Sequence, residues 1–403
     1  MKLRASVLAA YGLFLGLAAC TPAKTAAPAP DVEPAEAVEA AAEETPAPPP
    51  GPPSFATAIE RNLPSGTVVG ADSPSSFELS ASNADFSEAS EYAASMQSFA
   101  FLVWHDGALI HSEYFAPHNA TLRPESASMH KSVSAIAVGA AIDAGYISGT
   151  DTPIGTYITE WADDPRGEIT VEQLLNMSSG LKPLSSDGGM QSDSMRFMAG
   201  ENVRETLLNL ELSDEPGSVF HYAGTVNQLL ALIIERTSGQ PYEQFLSEAI
   251  WAPIGASEAL VWYNEPDGFP RTHTGLLAVA EDWLKVGLLV KDLGAIGDNQ
   301  IVSADFVQAM TSPSPANVNY GYQTWLGTEY HPQRYYNDAE EGFAVLASEP
   351  FAVDDMIYFD GFGGQRVYIS RSLDLVIFRS GEIRFDWDDA KLPNLVIAAL
   401  QAE

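Results

Sequence analysis

Apolar and polar residues alternate in a way that predicts a hairpin near the start of the folded part. Residues 99–115 read FAFLVWHDGALIHSEYF, two apolar runs on either side of Asp106-Gly107. An Asp-Gly pair between two such runs is a strong hairpin signal, because both residues tolerate the positive φ angles of a tight turn. We therefore predict two paired antiparallel strands here.

Helical spacing replaces this alternation from about residue 151 to residue 290. The run VNQLLALIIERT repeats apolar residues at helical intervals and stops at Gly239, a residue type that commonly ends helices. Pro241 suits the first turn of the next helix. The pattern predicts a mostly helical lobe over about residues 150–290.

Strand patterns return after Asn319. The segments DMIYF, QRVYIS and LDLVIFRS follow one another at the spacing of an antiparallel meander, and Pro393 opens a final helix. Together with the early hairpin, they predict one antiparallel β-sheet flanked by helices, with the helical lobe inserted between its strands. The predicted fold class is α+β.

The N-terminus has the features of an export signal. Lys2 and Arg4 precede an apolar stretch that ends in LAAC at Cys20. This ending resembles the bacterial lipoprotein signal, in which the cysteine becomes the lipidated first residue. The resemblance implies a protein held at the periplasmic face of a membrane, and Thr21 in place of aspartate favours the outer membrane. An ordinary secretory signal or a short anchor is the alternative.

Residues 21–54 are rich in Ala, Pro and Glu and predict an extended or disordered linker. The chain therefore divides into a signal sequence (1–20), this linker (21–54) and one folded domain (55–403).

Charge and composition exclude several functions. The formal net charge is −34 and the pI is about 4.3, so the surface repels nucleic acid. Cys20 is the only cysteine, which leaves no internal disulfide and no thiolate metal cluster. The sequence has neither an H-E-x-x-H motif nor a clustered His/Cys set. We predict no metal and no cofactor.

The candidate chemistry lies in Ser128-Met129-His130-Lys131, an S-x-x-K spacing. Residues three apart share one face of a helix, so the hydroxyl and the amine lie side by side. The apolar run SVSAIAVGAAIDAGYISG follows and predicts a buried helix. Burial lowers the pKa of a lysine, and a neutral amine can activate a serine.

Longer stretches carry a resemblance to a known family. They are SMHKSVSAIAVGAAIDAGYI, DTPIGTYITEWADDPRGEITVEQLLNMSSGL, FHYAGTVNQLLALIIERTSGQPYEQFL, YGYQTWL and DGFGGQRVYISRSLDLVIFRS. The chain resembles the serine hydrolases related to class C β-lactamases and penicillin-binding proteins, and most resembles the branch of 6-aminohexanoate-dimer hydrolase and related esterases. The resemblance spans about residues 99–380 and implies a β-lactamase/transpeptidase-like fold. The sequence has no G-x-S-x-G elbow, so the α/β-hydrolase fold is not supported.

The resemblance implies specific roles. Ser128 would attack a carbonyl and form an acyl-enzyme, and Lys131 would accept its proton. Tyr222, in a Y-x-N-like turn, would pass a proton to the leaving group. We interpret His130 and His221, which flank these residues, as structural.

A K-T-G-like strand is the third element of this family, and two stretches compete for it. His273-Thr274-Gly275 matches the K-T-G sequence pattern, but a helix follows it where the family has a strand. We therefore favour Phe359-Asp360-Gly361, which lies at the end of a predicted strand. The N–H of Phe362 would then join that of Ser128 in an oxyanion hole. Gly361 and Gly363 would let the backbone approach the substrate closely.

Two departures from the family pattern bear on the substrate. Gly224 replaces the asparagine of Y-x-N, with Asn227 one turn later as its possible substitute. Asp360 replaces the K-T-G lysine and would repel a substrate carboxylate. These two departures favour a small, uncharged ester or amide as the substrate. A β-lactamase or D-alanyl-D-alanine carboxypeptidase, and an inactive binding protein with the same fold, are the alternatives. The oligomeric state stays open.

Overall fold

A computed structural model describes residues 63–337 and 344–402. The predicted signal sequence, its Cys20 and the predicted linker lie outside the described residues. Within the described part, no helix combines the length and the apolar character needed to cross a bilayer.

The strands of the described part contain two to eight residues, and the longest of them belong to the main sheet. They are β1 (Ser65–Val68), β2 (Ser98–His105), β3 (Ala108–Tyr114), β4 (Ala259–Trp262), β5 (Leu276–Leu277), β6 (Ala295–Ile296), β7 (Asn299–Gln300), β8 (Trp325–Leu326), β9 (Gln333–Tyr335), β10 (Ala344–Leu346), β11 (Ile357–Gly361), β12 (Gln365–Ser370) and β13 (Leu375–Gly381).

The α-helices range from one turn to about four turns. They are α1 (Ser87–Ser95), α2 (His130–Asp143), α3 (Val171–Leu175), α4 (Asp193–Met198), α5 (Val203–Leu208), α6 (Gly224–Ser238), α7 (Tyr242–Leu246), α8 (Ala280–Lys291), α9 (Ala304–Met310) and α10 (Lys391–Gln401). Short 3₁₀ turns connect several of them, and one of these spans Ala127–Met129.

The main sheet has six antiparallel strands in the order β3-β2-β13-β12-β11-β8. The predicted hairpin is β2–β3 and the predicted meander is β11–β12–β13. Pairing of β13 with β2 joins the beginning of the folded part to its end. The predicted α+β class, with an antiparallel sheet flanked by helices, is confirmed.

Helices cover this sheet and the inserted lobe separates its strands. Helix α8 packs across β12, β13 and β2, and Gly287 allows the approach, since a Cβ there would lie 2.6 Å from Val376. Residues 280–290 are part of the predicted lobe, but they pack on the sheet instead. Two strands within the lobe, β4 and β5, form a small sheet with β1 that the helical pattern did not predict.

Helix α2 confirms the predicted buried helix after Ser128. Residues 130–141 are all buried, and the helix packs against α6. Small side chains make this possible, because Ala, Ser and Gly let neighbouring elements approach closely. At Gly139, for example, a Cβ would lie 2.5 Å from the Phe306 ring.

Candidate active site

Ser128 lies on the 3₁₀ turn that precedes α2, between the lobe and the main sheet. This turn packs against β11, and the Ser128 side chain is half-buried. Ala127, the preceding residue, has a φ of +48°, a region that disfavours residues with a Cβ. Strained backbone of this kind is concentrated at functional sites.

Lys131 lies one turn further on and faces Ser128. Its Nζ atom is 2.8 Å from the Oγ atom of Ser128 and donates to the carbonyl of His273 over 2.8 Å. The residue is only 3% exposed. This burial lowers the pKa of Lys131 to about 7, although the negative charges of Asp360 and Glu125 act in the opposite direction.

Tyr222 completes a group of three. Its ring centroid lies 4.8 Å from the Nζ atom of Lys131. Burial raises the pKa of the Tyr222 hydroxyl, and the charge of Asp360 raises it further, whereas a hydrogen bond with Ser128 lowers it. The structure thus brings together Ser128, Lys131 and Tyr222, which are separated by up to 94 residues in the sequence.

The position of Tyr222 is fixed by its surroundings. Its main-chain N–H donates to the side-chain oxygen of Asn337 over 2.9 Å. Its ring packs against those of Tyr336 and Trp325, with centroids 5.1 Å and 5.7 Å away. Sequence reasoning did not identify these three neighbours.

The end of β11 forms the wall of the site next to Ser128. Gly361 packs on the serine turn so closely that a Cβ would lie 2.5 Å from the carbonyl oxygen of Ser126. Phe362 follows and is half-buried. Gly363 has a φ of +76°, and a Cβ there would lie 2.7 Å from the Cα of Ile383. It therefore shapes the turn between β11 and β12.

Asp360 is buried in an ion-pair cluster, which corrects one prediction. Its carboxylate lies 2.6 Å from Arg366 and 2.9 Å from Arg334, and accepts a hydrogen bond from Tyr336 over 2.7 Å. Asp389 pairs with both arginines. The two arginine charges outweigh burial and lower the pKa of Asp360. The expectation that Asp360 would itself repel a substrate is therefore wrong.

The orientation of Arg366 follows from the register of the sheet. Asp360 on β11 and Arg366 on β12 are directly opposite each other, so their side chains project from the same face. Arg366 is 1% exposed and completes a cluster of two acids and two arginines with no net charge.

Comparison with known proteins identifies the family. A family model described as Beta-lactamase matches residues 86–381. The chain belongs to the Beta-lactamase family. The predicted resemblance is thus confirmed, and the chain is a member of a family of β-lactamase-fold serine hydrolases.

The chain is distantly similar to two curated proteins and one solved structure. The chain is 25% identical over 315 residues to 6-aminohexanoate-dimer hydrolase of Paenarthrobacter ureafaciens, a match covering 69% of this chain and 79% of that protein. It is 29% identical over 141 residues to penicillin-binding protein 4* of Bacillus subtilis (strain 168), covering 34% of this chain and 30% of that protein. A solved structure described as "Putative 6-aminohexanoate-dimer hydrolase from Bacillus anthracis" superposes with a TM-score of 0.69 at 19% identity, over 86% of this chain and 92% of that one.

Gly224 leaves space that another side chain fills in this Beta-lactamase family member. A Cβ at Gly224 would lie 3.1 Å from the imidazole of His273. The side-chain oxygen of Gln228 lies 3.0 Å from Nδ1 of this imidazole and also accepts main-chain N–H groups. Because that oxygen acts as an acceptor, Nδ1 is the donor. Burial, with the charges of Lys131 and Arg271, holds the pKa of His273 well below its ordinary value.

The His273-Thr274-Gly275 stretch therefore contributes to the site in a way that the sequence analysis did not predict. It does not lie on the strand next to the serine turn, but the carbonyl of His273 accepts the hydrogen bond from Lys131. The carbonyl of Thr274 accepts from the buried His130 over 2.8 Å. His221 lies 3.5 Å from Asp214 at the protein surface.

Asn227 does not take the place of the missing asparagine. It is fully buried, and its amide nitrogen donates to the side-chain oxygen of Gln323 over 3.3 Å. Its predicted role in substrate binding is therefore not supported by its position. Among the described residues, no group of three or more His, Cys, Asp or Glu side chains is arranged to hold a metal ion.

Proposed function

We propose that this protein is a serine hydrolase that cleaves an ester or amide through an acyl-enzyme on Ser128. The observation that carries the proposal is the 2.8 Å contact between the Ser128 hydroxyl and the buried Lys131 amine. A serine needs a neighbouring base to become a nucleophile, and a desolvated lysine is available as a neutral base near pH 7.

Acylation follows from the positions of the three side chains. Neutral Lys131 accepts the proton of Ser128 as Oγ attacks the substrate carbonyl carbon. The carbonyl electrons move to oxygen, and the N–H groups of Ser128 and Phe362 are suitable donors to that oxyanion. When the oxyanion collapses, Tyr222 donates a proton to the leaving oxygen or nitrogen, and the bond to the leaving group breaks.

Deacylation reverses these roles. After acylation Lys131 carries one extra proton and Tyr222 lacks one, so a proton transfer from the lysine amine to the tyrosine oxygen restores both groups. A water molecule then gives one proton to neutral Lys131 and attacks the acyl carbon. When the resulting oxyanion collapses, the bond between the acyl carbon and Ser128 Oγ breaks, Lys131 returns the proton to Oγ, and the carboxylic acid leaves.

The charges around the site favour an uncharged substrate. Asp360 and Asp389 neutralise Arg334 and Arg366, so the K-T-G-like position provides no uncompensated cation. A carboxylate, which β-lactams and D-alanyl-D-alanine termini carry, is bound best by such a cation. Gly224 also has no side chain that could hold a substrate amide.

The test uses the purified protein with a fluorophosphonate probe, a fluorescent penicillin and short-chain p-nitrophenyl esters. We expect fluorophosphonate labelling and ester turnover, both lost in Ser128→Ala, and a loss of at least about 100-fold in Lys131→Ala. Ser134→Ala, in the same helix, is the matched control and should keep its activity.

The remaining outcomes of this experiment distinguish the alternative functions. Penicillin labelling without ester turnover would favour the β-lactamase or carboxypeptidase alternative. An intact, folded protein with neither labelling nor turnover would favour the binding protein and refute the proposal.

Export and lipidation at Cys20 form a separate part of the proposal, supported by the sequence of residues 1–20. Mass spectrometry of the membrane fraction should find acyl chains on the wild-type protein and none on Cys20→Ser. An unacylated wild-type protein would contradict the anchor without affecting the proposed chemistry.

A further inference from the structure

A small apolar surface borders Ser128 on the side of β11. Phe99 and Ala127 are buried at its base, and three partly exposed side chains pack on them: Leu122, Phe362 and Ile383. Phe385 lies edge-to-face on Phe362 with ring centroids 5.7 Å apart and is 52% exposed. We call Leu122, Phe362, Ile383 and Phe385 the apolar ledge.

The ledge is continuous with the proposed site. Ala127 at its base immediately precedes Ser128, and Phe362 immediately follows Gly361, which packs on the serine turn. Single exposed apolar residues are common on protein surfaces and need no explanation. This apolar group is contiguous, and it includes the chain neighbours of both Ser128 and Gly361.

The other side of the site has a different composition. Tyr222 contacts Trp325 and Tyr336, and its main chain binds the Asn337 side chain. A leaving group that takes its proton from Tyr222 departs on this side. In the proposed acyl-enzyme the acyl group stays bonded to Ser128 with its oxygen next to the N–H of Phe362, an arrangement that favours placing the acyl substituent on the ledge.

The positive charge of Arg384 does not compete with this assignment. Arg384, which precedes Phe385, forms an ion pair with Asp386 at 2.6 Å. Its charge is therefore compensated at the rim of the ledge. A surface of two phenylalanines, a leucine and an isoleucine stabilises aliphatic or aromatic groups by removing them from water.

We propose that the apolar ledge is the acyl-binding surface and that the substrate carries an uncharged aliphatic or aromatic acyl group. This inference rests on the proposed serine hydrolase function and specifies its substrate class. Phe385 contributes to specificity by covering one face of the acyl chain, without contacting the reacting atoms.

The test measures kcat/KM for p-nitrophenyl acetate, butanoate and hexanoate, which share one leaving group. Each methylene that the ledge covers should raise kcat/KM by roughly two- to fourfold. The hexanoate-to-acetate ratio should therefore be at least about tenfold in the wild-type protein. Phe385→Ala should lower this ratio by about threefold or more, because one wall of the ledge is lost.

Leu79→Ala is the matched control. Leu79 is 61% exposed and bridges Leu109, at the end of β2–β3 opposite the site, so the ratio should be unchanged. Two results would refute the acyl-binding role of the ledge without affecting the proposed hydrolase function. One is an equal kcat/KM for the three esters, and the other is a hexanoate-to-acetate ratio in Phe385→Ala equal to that of the wild type. No turnover and no fluorophosphonate labelling would refute the hydrolase and the ledge together.

Discussion

Lys131 and Ser128 are in contact over 2.8 Å, and the amine that makes this contact is almost completely shielded from water. Burial lowers the pKa of Lys131 to about 7, and only the neutral amine can accept a proton. We therefore expect kcat/KM for a short-chain ester to rise with pH through about 7 and then to level off. The raised pKa of Tyr222 keeps its hydroxyl protonated on that plateau.

The measurement is a pH–rate profile from roughly pH 5 to pH 9, with the same leaving group throughout. A profile that is flat, or that falls as pH rises through 7, would contradict Lys131 as the base. Intact folding at each pH, checked by circular dichroism, separates ionisation of the site from unfolding.

Lys131→Met should stabilise the fold while abolishing activity. An unfolded lysine keeps its ordinary pKa near 10.4, whereas the folded pKa is about 7, so the unfolded state binds more protons between these values. Stability of the wild type therefore rises with pH over this window, and the lysine costs roughly 4 kcal/mol at pH 7. Two lost hydrogen bonds offset part of the gain.

Urea unfolding of both proteins at about pH 7 and pH 10 tests this directly. The advantage of Lys131→Met should be a few kcal/mol at the lower pH and should shrink at the higher one. An equal difference at both pH values would show that the buried amine is not the cause. Ser134→Ala again provides a control in the same helix.

Arg366→Met should destabilise the protein strongly. It leaves Asp360 and Asp389 buried with Arg334 as their only arginine partner within residues 63–337 and 344–402. Breaking a buried ion pair typically costs about 3–5 kcal/mol, because the remaining charge is not compensated.

Arg236→Met is the matched control, since Arg236 pairs with Glu160 at 2.7 Å near the surface. Exposed pairs contribute up to about 1 kcal/mol. Similar losses for the two variants in urea unfolding would show that the cluster has no special role.

Gly224→Asn should not create a penicillin-hydrolysing enzyme, although it restores the Y-x-N sequence motif. The new Cβ would lie 3.1 Å from the His273 imidazole, so either α6 or His273 has to move. The carbonyl of His273 holds Lys131, and a shift there should lower ester kcat/KM by about tenfold or more.

Turnover of a chromogenic cephalosporin and of an ester measures both effects. Gly145→Asn is the control, because a Cβ at Gly145 meets nothing within 4 Å and asparagine tolerates a left-handed φ such as the +75° of Gly145 better than most residues. Cephalosporin turnover by Gly224→Asn, with ester activity retained, would show that His273 does not block the asparagine.

Local patterns predicted the elements well where the physical cause is local. The hairpin follows from Asp106-Gly107, and α6 ends at Gly239 in the left-handed conformation that the sequence indicated. The S-x-x-K spacing predicted the Ser128–Lys131 contact because three residues make about one helical turn.

Long-range partners could not be predicted in this way. Arg334, Asp360 and Asp389 come from segments 26 to 55 residues apart, and their pairing depends on how β9, β11 and the turn before α10 pack. A single sequence shows each charged residue but not the residue with which it pairs. The sequence therefore indicated an unpaired carboxylate at Asp360, although the fold neutralises its charge.

The carbonyl that holds Lys131 belongs to the main chain of His273, so no substitution of the His273 side chain deletes the acceptor itself. The ledge, in contrast, consists of side chains on loops and can change one residue at a time. An evolving or engineered lineage could therefore exchange one acyl preference for another while its reactive lysine keeps the same environment. Libraries that vary residues 122, 362, 383 and 385 and leave α2 intact would sample new substrates at little risk to the chemistry.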